Sequence, residues 1–196
     1  MRALRTAGDA LQTMPRFIAF LRAINVGGRT VKMETLRSLF EDLRFDAVET
    51  FIASGNVIFT SRSQNGRALE RTIEGRVREA LGYEVSTFVR TDAELAAIAR
   101  YRPFSAARLR AAGALNIGFV AEPLSARGKK ALMALRTEID DFHARGREVF
   151  WLCTTKQGES DFSNAVFEKR LQVRATFRGA NTLARLAAKY PPSRGA

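Results

Sequence analysis

Two short loops hold the residues whose types and spacing could do chemistry. Asn25-Val26-Gly27-Gly28-Arg29-Thr30 follows an apolar run and precedes a helical pattern, with Arg22 before it and Lys32 after it. Two glycines let backbone N–H groups turn toward one point at the positive end of a helix dipole, a recipe for holding an anion such as phosphate. The spacing is neither that of a P-loop nor G-x-G-x-x-G. The competing reading is a Gly-Gly turn that serves chain reversal alone. Ser54-Gly55-Asn56 puts a hydroxyl and an amide at a hairpin tip, where Gly and Asn are also what the reversal itself demands. Arg22 and Arg90 interrupt or end apolar strand runs. A charge there reaches either an acidic partner or an anionic ligand in a cleft. The candidate binding set is therefore Arg22, Asn25, Gly27, Gly28, Lys32, Ser54, Gly55, Asn56 and Arg90.

Other chemistry has little to work with. His143 is the only histidine and Cys153 the only cysteine, so a structural zinc site within one chain and an internal disulfide are both excluded. His143 alternates with Phe142 and is expected to face solvent, while a Ser-His-Asp or Cys-His arrangement would have to use it, and Cys153 reads equally as the thiol of such a pair or as a small buried hydrophobe. Glu138, Asp140 and Asp141 crowd three carboxylates near a strand start, either a cation site or a solvated turn, with the turn preferred. No metal, cofactor or catalytic set is assigned.

The elements that must position the two loops follow from periodicity. Residues 17–24 form a continuous apolar run of strand length, and Met33, Leu36, Phe40 and Leu43 recur at helical spacing. Residues 48–53 and 57–60 read as a hairpin, residues 69–81 as a helix ended by Gly82, residues 83–90 as a strand, and Thr91-Asp92 as the cap of a third helix stopped by Pro103. The order then repeats: strand 115–121, helix 125–137, hairpin strands 139–144 and 148–153 around Gly146, helix 164–171, strand 172–177, and a last helix capped by Asn181. Phe51, Ala53, Gly55 and Phe59 match Phe142, Ala144, Gly146 and Phe150 at an offset of 91, and Thr87-Phe88 matches Thr176-Phe177 at 89. The expectation is an α+β fold of two tandem ferredoxin-like βαββαβ repeats, each with a trailing helix. They span residues 15–103 and 113–190 behind a disordered tail at 1–14, with Met14 a plausible true start. Packing the two open sheet faces, or merging the sheets, would bury both.

The chain is 46% hydrophobic and carries a net charge of +12, with a pI near 10.9. Such a balance suits a polyanion partner, nucleic acid included. Against that, only six of the 32 basic residues are Lys, an arginine bias that a GC-rich coding sequence produces by itself, and the charges run the length of the chain. No apolar run approaches the roughly 20 residues of a membrane-spanning helix, so no membrane partner is expected and the cytoplasm is the expected compartment. Nothing in the sequence marks an oligomeric state.

Leu21-Arg22-Ala23-Ile24-Asn25-Val26-Gly27-Gly28, then Ser54-Gly55-Asn56-Val57-x-Phe59, then Val89-Arg90-Thr91, resemble three ordered signatures of the bacterial family catalogued as domain of unknown function 1697. The resemblance covers residues 15–190 and implies a compact α+β fold with duplicated ferredoxin-like character and no established activity. Members usually carry Gly where this chain has Ala23. Near the end they tend to show Arg-Asn-Trp-Asn-Thr, against Arg178-Gly179-Ala180-Asn181-Thr182 here. Three classes of function stay open: an anion or nucleic-acid binding module, a small-molecule enzyme or binder with a cleft between the halves, and a protein-interaction scaffold.

Overall fold

The computed structural model of the protein describes residues 14–25, 30–52 and 55–192. The first elements are β1 (Arg16–Leu21), α1 (Met33–Asp42), β2 (Asp46–Thr50), β3 (Asn56–Thr60), α2 (Gly66–Leu81), β4 (Thr87–Thr91) and α3 (Asp92–Arg100). Then come α4 (Ala106–Ala111), β5 (Ala114–Val120), α5 (Ala126–Met133), β6 (Asp140–Arg145), β7 (Glu148–Cys153), a 3₁₀ turn at Gln157–Glu159, α6 (Asn164–Leu171), β8 (Ala175–Gly179) and α7 (Ala180–Lys189). Contacts divide the chain into one unit of Met1–Ile98 with Leu186–Ala196 and a second of Ala99–Arg185.

Each unit holds its own four-stranded antiparallel sheet, ordered β2-β3-β1-β4 and β6-β7-β5-β8. Both place the unit's first and third strands at the centre, the order of a ferredoxin-like split βαβ. In the first unit Phe17, Ala19 and Leu21 of β1, Val57 and Phe59 of β3 and Val89 of β4 pack on Leu36 and Phe40 of α1 and on Leu69, Ile73 and Val77 of α2. Phe59 is the hub, with ring centroids 4.5 Å from Phe45, 5.5 Å from Phe40 and 5.7 Å from Phe17. Burying each such ring stabilises by about 1.5–3 kcal/mol. In the second unit Trp151 and Phe162 take that place, 4.6 Å apart, with Phe142, Phe167 and Phe177 around them.

Several expected boundaries move. β1 stops at Leu21 because Ala23 turns the chain into the left-handed region at φ 52°. The strand expected over 83–90 forms only at Thr87–Thr91. The helix expected over 125–137 ends at Met133, where Leu135 and Arg136 tighten to three-residue hydrogen bonds. Asn181 lies inside the first turn of α7 and is not its cap.

The duplication holds at the level of sheets, but its register differs from the residue matches. Ile18 pairs with Ile58 and Arg90, and Ile117 pairs with Phe150 and Arg178. The equivalent positions are thus Ile58 with Phe150, Phe59 with Trp151, and Arg90 with Arg178, offsets of 92, 92 and 88. The offsets of 91 and 89 are each one residue out, and one residue flips a strand side chain to the other face. Ala19 and Val89 then correspond to Gly118 and Phe177, a pair in register as they are. Phe177 is the larger partner, and Gly118 makes room for it: a Cβ on Gly118 would stand 2.6 Å from the Phe177 ring.

Both sheets manage their edges with side chains. β4 is an edge strand, and alternate N–H groups along it donate to carboxylates: Thr87 to Glu74 Oε1 at 2.8 Å, Val89 to Glu70 Oε1 at 2.9 Å, and Thr91 to Glu94 Oε2 at 2.8 Å. In the second unit Ala175 N–H donates to Glu168 Oε1 at 2.9 Å, while Asn164, four residues before Glu168 as Glu70 is before Glu74, leaves its buried Oδ1 without a partner. Along β6, Asp140 N–H donates to Thr137 Oγ1 and Phe142 N–H to Asp141 Oδ1. A strand added at β4 would have to break charge-assisted bonds, each worth about 1.5–3 kcal/mol.

Gly118→Ala is expected to cost about 1–3 kcal/mol through overpacking against Phe177. Phe177→Val in the same chain should recover part of that cost. A double-mutant cycle followed by Trp151 fluorescence should give a coupling of at least about 1 kcal/mol, and strictly additive costs would contradict the pairing.

Candidate functional site

The first two signature motifs meet at one end of the first unit. Leu21 N–H donates to Gly55 O at 2.8 Å, joining the end of β1 to the β2–β3 hairpin. Gly55 sits at φ 72°, and a Cβ there would stand 2.7 Å from Ile24 Cγ2. Glycine is required twice over at this position, for the backbone conformation and for the close approach. Asn56 is fully buried and donates from Nδ2 to Phe51 O at 3.1 Å, while Phe51 N–H donates to Asn56 O at 2.9 Å. Its amide therefore braces the hairpin.

On the other strand exit, Ile24 is buried and Tyr83 donates its hydroxyl to Ile24 O at 3.3 Å. Asn25 Oδ1 accepts the Val31 N–H at 2.7 Å, so residues six positions apart are held together at the base of the β1–α1 connection. Lys32 follows, exposed, at the N-cap of α1, where it makes no side-chain capping bond. Arg22 is half-buried, and its N–H donates to Ser86 O at 2.8 Å. Gly27, Gly28 and Ser54 lie outside the described residues.

Arg90 is not at this end. It pairs with Ile18, three residues back along β1 from Leu21, which is about 10 Å. It is 1% exposed and donates from Nη1 to Val89 O at 2.8 Å. Arg178 repeats the arrangement in the second unit, donating to Phe177 O at 2.9 Å and to Thr176 Oγ1 at 2.7 Å. Burial pulls its guanidinium down to about 10, still protonated at neutral pH. A charged residue at the same register position of both sheets reads as part of the duplicated fold. Arg22, Asn25, Lys32, Gly55 and Asn56 therefore share one end, and Arg90 stands apart from them.

A groove of about 290 Å³ is lined by Arg71, Glu74, Gly75, Arg78, Glu84, Val85 and Ser86, the last of which accepts the Arg22 N–H. Burial pushes the Glu74 carboxyl above the usual carboxylate range, against the hydrogen bond from Thr87 N–H. Two arginines and two glutamates cancel in charge, so the groove by itself selects no ion.

The three carboxylates at the start of β6 do not form a shared site. Asp140 is buried and accepts from Trp151 Nε1 at 2.7 Å, Thr137 Oγ1 at 3.0 Å and Ser160 Oγ at 2.8 Å. Asp141 instead faces two guanidiniums, Arg108 and Arg136, each at 2.5 Å. Among the described residues no group of three or more His, Cys, Asp or Glu could hold a metal ion. His143 is half-buried, not solvent-facing as expected, and its Nε2 lies 3.0 Å from the Tyr101 hydroxyl. The lone histidine carried no signal for Tyr101, which is 42 residues away.

The strained Ala23 gives a direct test of the loop geometry. It is exposed and left-handed, a conformation that costs an L-residue about 1–2 kcal/mol. Ala23→Gly should therefore stabilise the protein by about 0.5–1 kcal/mol after the glycine entropy cost, read as a raised urea midpoint. Gly55→Ala should lower it by at least about 2 kcal/mol. A destabilising Ala23→Gly or a neutral Gly55→Ala would contradict this geometry.

No helix among the described residues is long and apolar enough to cross a membrane. No curated protein is similar enough to the chain to count as a match. A solved structure titled as the conserved bacterial protein SP0830 from Streptococcus pneumoniae superposes with a TM-score of 0.67 at 23% identity, over 90% of this chain and 98% of that one. At that identity the likeness is one of fold. The model of a family described as "Protein of unknown function (DUF1697)" matches residues 14–150. The motifs that meet at the end of β1 all fall inside that span, and the chain belongs to the DUF1697 family.

Proposed function

We propose that the protein is an anion-binding module whose site is the β1–α1 connection of the first unit, with a phosphate group as the ligand class. One observation carries the reading. Helices α2, α4, α5 and α6 start on Asn65, Ser105, Ser125 and Ser163, each accepting a first-turn N–H, and α3 starts on a Thr91–Glu94 capping box. Helix α1 starts on Lys32, which caps nothing. A cation at the positive end of a helix dipole is unfavourable by about 0.3–1 kcal/mol. A bound phosphate reverses that sign and supplies the acceptor oxygens that the first turn lacks.

Three further features support it. Asn25 holds the two ends of the connection together before any ligand arrives, which lowers the ordering cost of binding. The Gly27-Gly28 pair, on sequence grounds, frees backbone N–H groups for the same ligand. The edge bonds of β4 speak against strand addition there as the basis of a scaffold role.

Phosphate and pyrophosphate titrations followed by thermal unfolding test this. The wild-type Tm should rise with millimolar pyrophosphate, and Lys32→Ala should weaken the effect roughly fivefold or more, about 1 kcal/mol. An equal response of both proteins, or none in either, would refute the site.

A further inference from the structure

The second unit carries a basic strip that the loop site does not use. Between Leu95 and Ala121 the sequence contains Arg100, Arg102, Arg108 and Arg110 and no acidic residue. The structure lays part of this stretch along the edge strand β6. Tyr101 bonds His143 at 3.0 Å and packs on Phe150 with ring centroids 5.2 Å apart. Arg108 reaches Asp141 and also lies over the Phe104 ring at 5.4 Å. Asp141, His143 and Arg145 alternate along β6 and so share one face. The Arg145 guanidinium covers the Tyr101 ring at 4.1 Å.

Charge on this strip is lopsided. Asp141 takes both Arg108 and Arg136, and Glu148 stands opposite Arg145 in the hairpin register. Arg102 spends one nitrogen on the carbonyls of Ala99 and Tyr101. Arg100 and Arg110 are exposed and, among the described residues, have no hydrogen-bond or ion-pair partner. Burial, and then the neighbouring Arg145, hold the His143 imidazole below its usual range, which favours the neutral ring. What remains is an arginine track beside an aromatic ring capped by a guanidinium plane.

We propose that this strip is a binding track for single-stranded nucleic acid. Arg100 and Arg110 face the phosphates, and the stacked Arg145–Tyr101 pair is a platform for one unpaired base. Guanidinium and aromatic planes offer stacking surface only to a base outside a duplex, which selects single strands. Stacking on an open sheet is closed to both units. Ile18, Phe20, Ile58 and Phe88 in one sheet and Ile117, Phe119, Phe150 and Leu152 in the other are all 3% exposed or less.

Fluorescence anisotropy of the full chain with a labelled 12-nucleotide oligo(U) and a 12-base-pair duplex, at salt from 50 to 200 mM, tests this. The oligo(U) should bind more tightly than the duplex. Arg100→Ala with Arg110→Ala should flatten the slope of log K against log salt by about 1.4, roughly 0.7 for each phosphate no longer neutralised. Arg145→Ala and Tyr101→Leu should each weaken binding by roughly fivefold or more at unchanged slope. Tyr101→Phe keeps the ring and should bind as wild type, and Arg145→Ala carries the stacking test should Tyr101→Leu fail to fold. The control removes two arginines of the first unit, Arg71→Ala with Arg78→Ala, and should leave the slope unchanged. A flattening in that control equal to that of the Arg100 and Arg110 pair would mean diffuse charge attraction and overturn the proposal. Preference for the duplex, an unaffected Arg145→Ala, or no binding at 50 mM salt would overturn it as well.

Discussion

The hydrogen bond from Leu21 N–H to Gly55 O is the contact on which the candidate-site end of the first unit depends. It joins a strand exit to a hairpin tip that lies 34 residues further along the chain. Its geometry leaves no room for a side chain at Gly55, because Ile24 occupies that space. Ile24 can sit there only because Ala23 takes a left-handed turn, and the same turn ends β1 and starts the connection to α1. Asn56 and Asn25 then brace the two loops by binding backbone, not ligand. These constraints explain why the residues of two separated motifs come as sets: changing Gly55 would displace Ile24, and displacing Ile24 would move Asn25 and the start of α1.

Much of this is legible in the sequence, and the losses have a common cause. Element order, the caps at Thr91 and Gly82, and the pairing of two similar halves follow from periodicity and turn residues. The register between the halves does not. Strands β1, β3 and β7 are buried on both faces, so apolar and polar residues fail to alternate and residue type no longer reports which face a side chain takes. Matching Phe59 to Phe150 by type therefore slips a residue. Ladder partners restore Phe59 to Trp151 and reveal the Gly118–Phe177 exchange. Arg22 reads as part of a strand for the same reason, an apolar run with no visible end before the asparagine.

The acidic residues show a second pattern invisible to composition. The chain has 20 of them against 32 basic residues, and several accept main-chain N–H groups or buried side-chain donors and so are less available to a ligand. Glu70, Glu74 and Glu94 close the β4 edge, Glu168 guards β8, and Asp140 is enclosed by Trp151, Thr137 and Ser160. Structural use of carboxylates leaves arginines such as Arg100 and Arg110 without acidic neighbours, a surface imbalance larger at those places than the net charge alone conveys. Glu70 sits between Leu69 and Ile73 on the buried side of α2, and a glutamate at a core position four residues before another is the signal that could have exposed this role.

The proposed site for an anion is the uncapped start of α1. Crystals soaked in tungstate, a phosphate analogue with strong anomalous scattering, test it most directly. The expected map has a tungsten peak at the N-terminus of α1, with its oxygens within hydrogen-bond reach of Lys32 Nζ and the first-turn N–H groups. Well-occupied peaks elsewhere with none at that helix start would contradict the claim.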